Sequence, residues 1–166
     1  IDDDYGMSIT TVMTKPKSRG YVKLKSANFK DNPEIELNLL KNEDDLKMMM
    51  AGQRFFLQAL TNGPLSKKVK KIIIPDPKNL TDENLEKHCR KYVRTNYHPS
   101  GTAKMGADND KMSVLDSKLR VRGIDNLRVC DLSAMPNINS GNTSAPAMML
   151  GLRCGDFLIN NQRNNI

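Results

Sequence analysis

Early in the chain, apolar and polar residues alternate. Val22 and Leu24 alternate with Tyr21, Lys23 and Lys25, and Ile35, Leu37 and Leu39 alternate with Glu36 and Asn38. A period of two sends successive side chains to opposite faces, so both runs predict half-buried strands. Met7 to Met13 offers a third strand, and Asp31-Asn32-Pro33 supplies a turn between the other two. From about Glu43 the period lengthens. Leu46, Met49, Gln53, Phe56 and Leu60 recur at steps of three and four, which predicts a helix from Glu43 to Leu60. Asn42 suits its N-cap, and Glu43, Asp44 and Asp45 suit the positive end of its dipole. Thr61-Asn62-Gly63-Pro64 ends it. The methionines of this helix read as core filler rather than ligands.

Ile72-Ile73-Ile74 is a short apolar run closed by Pro75-Asp76-Pro77. A second helix is expected to start near Thr81, with Asp82 and Glu83 in its first turn and Leu85, Cys89, Tyr92 and Val93 on its buried face. His88 falls on the opposite side with no metal-ligand partner one turn away, and is expected to be exposed. From Asn96 to Leu119 no simple period holds, and glycine, proline and small polar residues become frequent. Such segments are usually loops that carry function on a rigid scaffold. Leu119 with Val121, and Leu127 to Cys130, predict two short strands, the second ending at Asp131. A last helix is expected from about Asn142 to Ile159, with Ala147, Leu150, Cys154, Phe157 and Leu158 as its apolar stripe. There is no internal repeat and no low-complexity tract.

Composition narrows the class. In 166 residues, 38% are hydrophobic and 27% charged, which is a globular rather than a disordered balance. No apolar run reaches the roughly 18 residues of a membrane span. The chain opens Ile1-Asp2-Asp3-Asp4, acidic where a signal peptide would be basic and then apolar, and without an initiator Met. We therefore expect a chain that begins partway through a longer protein. The net charge is +7, and its one dense patch is Lys67-Lys68-Val69-Lys70-Lys71. No aromatic residues interleave there for base stacking, so the patch reads as a solvated surface and not as a nucleic-acid footprint. The three cysteines, Cys89, Cys130 and Cys154, have no CxxC spacing and an odd count. They read as reduced thiols among apolar neighbours, which favours a reducing, cytoplasmic compartment.

Two segments carry residues suited to chemistry. The first is Asn96-Tyr97-His98-Pro99-Ser100-Gly101-Thr102-Ala103-Lys104-Met105-Gly106. Small residues around His98 let the backbone approach a ligand closely, and histidine exchanges a proton near neutral pH. The second runs from Leu127 through Asp131-Leu132-Ser133-Ala134-Met135-Pro136 to Ser140-Gly141-Asn142-Thr143-Ser144-Ala145-Pro146. It puts a carboxylate at a strand end and then opens a helix, whose free N–H groups and positive dipole suit an anionic group. Taken alone, a loop histidine is more often structural and a polar helix start is more often only a cap.

Together these segments are similar to the C-terminal region of glucose-methanol-choline (GMC) oxidoreductases. The similarity is carried by Tyr97-His98-Pro99-Ser100-Gly101-Thr102 with Met105-Gly106, by Val114-Leu115-Asp116 through Leu127-Arg128-Val129, by Asp131, Ser133 and Met135-Pro136, and by Ser140-Gly141-Asn142-Thr143 with Ala145-Pro146. Upstream, Ser18-Arg19-Gly20 resembles the family's strand opening. The resemblance implies an α/β (α+β) fold. Residues 1–118 would belong to a substrate-binding portion, an antiparallel or mixed sheet with helices on one face, and would include the His98 loop. Residues 119–166 would return to close the FAD-binding domain with a strand and a helix.

The same resemblance implies FAD as cofactor and oxidation of a primary alcohol to an aldehyde. His98 would accept the hydroxyl proton while hydride passes to flavin N5, and Asn142 would hydrogen-bond the alcohol oxygen. Tyr97, Asp131, Leu132, Asn142, Thr143 and Ser144 would contact the cofactor, and no metal is called for. Partners would be a small alcohol and the N-terminal FAD-binding segment of the same enzyme, without nucleic acid or a membrane span. Two rival readings are a hydroxynitrile lyase on the same scaffold and a non-catalytic basic binding module.

Overall fold

A computed structural model describes residues 6–163 of the chain. The Ile1-Asp2-Asp3-Asp4 run lies outside them. The first element is a pair of short strands, β1 (Tyr21–Lys23) and β2 (Glu34–Glu36), hydrogen-bonded to one another. Three α-helices follow: α1 (Glu43–Asn62), α2 (Asp82–Tyr92) and α3 (Ser144–Arg163). Short 3-10 turns occupy Pro64–Lys68 and Leu132–Ala134. The architecture is thus mixed α/β, and among the described residues regular sheet is confined to the two strands.

The chain divides into two compact units. One holds the described residues up to 20 together with 36–94, and the other holds 21–35 with 95 onward. The first unit is built by α1 and α2. Asn42 caps α1, its side chain accepting from the Asp44 N–H at 2.9 Å. Thr81 caps α2, accepting from the Asn84 N–H at 3.2 Å. Both caps answer donors that a helix start leaves unpaired.

The buried row of α1 is Leu46, Met50 and Leu57, rotated from the face the spacing suggests. Gln53 is the reason: its amide donates to Thr11 Oγ1 at 3.1 Å, so it stays at the margin of the core. Leu46 and Met50 meet Leu40, Leu85 and Cys89, with Met13, Met49 and Val93 packed around them. Leu85 is fully buried, and burying such a side chain stabilises by about 1.5–3 kcal/mol. Tyr92, expected in this core, is nearly half exposed.

The second unit is mostly loop. Its core gathers Leu115, Leu119, Ala134, Leu150 and Cys154, flanked by Met105, Val129, Cys130 and Phe157. Leu150 and Cys154 carry the buried stripe of α3, while Leu158 at its end is exposed. The strands expected at Leu119–Val121 and Leu127–Cys130 are reduced to single bridges, Leu115 with Val121 and Arg120 with Arg128. A tight turn explains this. Asp116 accepts from the Lys118 and Arg120 N–H groups, and Leu119 sits at φ 64° between them. A left-handed residue cannot continue a ladder.

Two other expectations are corrected. Met7 to Met13 forms no strand. His88 is half-buried rather than exposed; its ring lies 4.8 Å from that of Tyr92, and burial pushes its pKa down. All three cysteines are free, with Cys89 and Cys154 buried and Cys130 half-buried. The Cys130 thiol is held above its ordinary pKa first by its hydrogen bond with Cys154 and then by burial. The lysines of the 67–71 patch are exposed. No helix among the described residues is long and apolar enough to cross a membrane.

Candidate active site

Local backbone chemistry positions the His98 loop. Tyr97 takes φ 64°, a left-handed turn at a non-glycine residue, and its N–H donates to Thr95 Oγ1 at 3.0 Å. Such a conformation costs on the order of 1–2 kcal/mol and persists where the surroundings fix it. The fixing contacts lie just downstream. The N–H groups of Gly101, Ala103 and Met105 donate in turn to the carbonyls of Leu132, Ser133 and Ala134, at 3.1, 3.0 and 2.9 Å. The loop is therefore laced, residue by residue, onto the 3-10 turn that follows Asp131. Gly101 has φ 83°, and a Cβ there would meet the Met135 carbonyl at 3.1 Å, so this crossing requires glycine.

Asp131 holds the other side of that lacing. Its carboxylate accepts from the Ser133 N–H at 2.8 Å and from the Ser133 hydroxyl at 2.5 Å, capping the turn Leu132–Ala134. Beyond Pro136, Asn139 ties the approach to α3: its amide donates to the carbonyls of Gly141 and Asn142 at 3.0 and 3.1 Å. Its own Oδ1 is buried and has no partner among the described residues. The Thr143 carbonyl accepts from the Ala147 N–H at 3.0 Å, closing the first turn of α3. Pro146 sits within that turn, where its missing N–H costs nothing.

These two segments meet at one hydrogen bond. Thr143 Oγ1 lies 2.8 Å from His98 Nδ1, across 45 positions of sequence. Thr143 is only 3% exposed, and His98 is half-buried beside it. Asn142, the chain neighbour of Thr143, is exposed, as is Ser144 at the start of α3. Tyr97 is 82% exposed. Asp131 is exposed and Leu132 half-buried. The structure thus joins His98 with Thr143, and through the backbone lacing with Leu132. It leaves the side chains of Asn142, Tyr97 and Ser144 open to the surface.

The arrangement can receive a negatively charged group at the helix start and exchange a proton at the imidazole beside it. The first-turn N–H groups of α3 leave a positive end, an exposed carboxamide stands next to it, and an imidazole is held close by. No metal-binding cluster of His, Cys, Asp and Glu occurs among the described residues. Sequence reasoning placed Thr143 among cofactor contacts and missed its bond to His98. No local signal could have found it, because a contact over 45 positions is set by how the two loops pack.

Comparison with known proteins identifies the family. The family described as GMC oxidoreductase matches residues 16–151. An alcohol dehydrogenase (acceptor) of Pseudomonas putida is 38% identical over 93% of this chain and 28% of its own length. A choline oxidase of Arthrobacter globiformis is 37% identical over 92% of this chain and, again, 28% of its own. Among solved structures, a formate oxidase of Aspergillus oryzae superposes with TM-score 0.80 at 31% identity, covering 90% of this chain and 26% of that one. An FAD-dependent oxidoreductase from Chaetomium thermophilum gives TM-score 0.81 at 28% identity, with the same coverage of 90% and 26%. The chain thus spans under a third of the length of these relatives.

Proposed function

The chain belongs to the GMC oxidoreductase family, and on that premise we propose that it forms the C-terminal part of an enzyme that oxidises a primary alcohol to an aldehyde with FAD. Residues 1–118 are assigned to the substrate side, where the two described strands join a wider sheet in the complete protein, and residues 119–166 to the return into the FAD-binding domain. The observation that carries the reading is the His98–Thr143 hydrogen bond at 2.8 Å, because it brings the imidazole of one segment to the helix start of the other.

When bound, FAD supplies a hydride acceptor at its N5. The residues present fit such a group: Tyr97 and Asn142, the chain neighbours of the hydrogen-bonded His98 and Thr143, are exposed, and α3 offers its first-turn N–H groups to a negative edge. Asp131 and Leu132 stand at the turn onto which the His98 loop is laced. His98 Nε2 takes the proton of the substrate hydroxyl as the carbon gives up hydride. Asn142 donates its amide N–H to the alcohol oxygen, orienting it and stabilising the charge that develops there. A carboxamide is a poor base, so proton removal falls to the imidazole. Thr143 and Ser144 border the same helix start. A cytoplasmic location, a small-molecule alcohol as substrate and an external electron acceptor that reoxidises the flavin complete the proposal.

The test uses the full-length enzyme. His98→Ala is expected to lower turnover about 10²–10⁴-fold while the flavin stays bound, and turnover at the wild-type rate would refute the role of His98. Anaerobic addition of alcohol is expected to bleach the flavin absorbance of the wild-type enzyme. A flavin that stays oxidised under those conditions would point to a hydroxynitrile lyase instead.

A further inference from the structure

We infer that Thr143 is a positioning residue for the proton acceptor: its buried hydroxyl receives the Nδ1–H of His98 and so leaves the Nε2 lone pair free for the substrate. The inference rests on the reading of His98 as that acceptor, and adds to it how the imidazole is held in the working state.

A neutral imidazole carries its proton on one nitrogen or the other, and only the bare nitrogen can act as a base. Which nitrogen is bare is set by the partner of the other. Here Nδ1 has a partner at 2.8 Å, and that partner is a hydroxyl rather than a carboxylate. The hydroxyl cannot move away to serve another role. Thr143 is 3% exposed, and its backbone is fixed by the Ala147 N–H on its carbonyl at 3.0 Å. The imidazole is constrained from its own side by the lacing of residues 101–105 onto the 132–134 turn. Both ends of the bond are therefore set by backbone, and a β-branched side chain such as Thr has few rotamers in which to leave it. A hydroxyl partner leaves no buried negative charge beside the ring, so orientation comes without a fixed ion pair.

The alternative geometry is a hydroxyl that donates to Nδ1. It would put the proton on Nε2 and make that nitrogen a donor, unable to accept the substrate proton. The two cases differ in a measurable tautomer. Nitrogen NMR of the full-length enzyme, labelled at histidine, would read it, with the His98 signals assigned by their loss in His98→Gln. The expected result is a neutral His98 protonated at Nδ1 in the wild type and a mixture of tautomers in Thr143→Val, which keeps the shape and removes the hydroxyl.

Steady-state kinetics supply the second reading. Thr143→Val is expected to lower kcat about 10-fold with KM little changed, the loss of one oriented hydrogen bond. Thr143→Ser, which keeps the hydroxyl, is expected to recover most of that loss. A wild-type His98 protonated at Nε2 would overturn the inference. So would wild-type kcat in Thr143→Val, or a Thr143→Ser variant as slow as Thr143→Val, which would assign the loss to methyl packing. If His98→Gln turned over normally, the underlying role of His98 would fall. If His98→Gln were inactive and Thr143→Val were normal, only the role of Thr143 would fall.

Discussion

The Asp45 carboxylate is buried at 3% exposure, yet it accepts from the Lys17 N–H at 2.8 Å, the Ser18 N–H at 2.7 Å and the Ser18 hydroxyl at 2.5 Å. Burial works to raise its pKa and is the largest influence, but the hydrogen bonds from Lys17 and Ser18 together outweigh it and hold the carboxyl below the usual range. A depressed carboxylate contributes stability that is present above its unfolded pKa and lost as pH falls through the folded one. Asp45→Asn turns an NH₂ group toward these donors and is expected to cost about 2–3 kcal/mol, read as a lower unfolding midpoint of the full-length protein. The gap to wild type should be widest near neutral pH and close in acid, below the ordinary carboxylate range. A gap that stayed constant on acidification would show that the charge of Asp45 is not what matters. The family resemblance singled out Ser18-Arg19-Gly20, but as a strand opening. In the folded chain the Ser18 hydroxyl also accepts from the Asn42 N–H at 3.0 Å, so Ser18 joins the α1 cap to the incoming chain. That role was hidden because Ser18 and Asp45 are 27 positions apart.

Helix starts were the most legible elements, because a cap is a local chemical event. Asn42 with its acidic following turn and Thr81 with its own both cap the helices expected of them. The third helix begins at Ser144, two residues after Asn142, because Thr143 supplies its carbonyl to the first turn and turns its hydroxyl to His98. Strands were less legible. The alternation around Val22 and Ile35 is real, but both side chains are exposed among the described residues, and only three residues on each side pair. A period of two states which face is apolar without stating what covers it. The entry to β1 also depends on a missing side chain. A Cβ at Gly20 would stand 2.0 Å from the Glu36 carbonyl oxygen, and the obstacle is backbone, which cannot swing aside. Gly20→Ala is expected to destabilise by about 1–3 kcal/mol and to loosen the β1–β2 pairing. Hydrogen exchange at the amides of residues 21–23 and 34–36 would report this, and unchanged protection there would contradict the close approach.

At the scale of the molecule, the described residues expose apolar surface that they do not cover themselves. On α3 alone, Met148, Met149, Leu152, Leu158 and Ile159 are all exposed, from 52% to 72%. Exposed apolar side chains on a helix are candidates for an interaction site, and relatives more than three times as long, of which this chain spans 28%, have residues beyond the matched part. The cofactor question divides in the same way. In the proposed reading, contacts for a flavin ring edge come from the α3 start, Asn142, Tyr97 and the His98 loop. The 166 residues contain no Gly-x-Gly-x-x-Gly run, the loop that lets backbone approach a pyrophosphate. Ring-edge contacts alone must meet the whole entropic cost of holding a large, flexible dinucleotide. The isolated 166-residue chain, titrated with FAD and followed by flavin fluorescence, is therefore expected to show no saturable binding, whereas the full-length protein should retain FAD through gel filtration. Saturable quenching by the isolated chain, abolished by changes at Asn142 or Tyr97, would mean that the ring-side contacts suffice and that the division of labour drawn between this chain and the remainder of the enzyme is wrong.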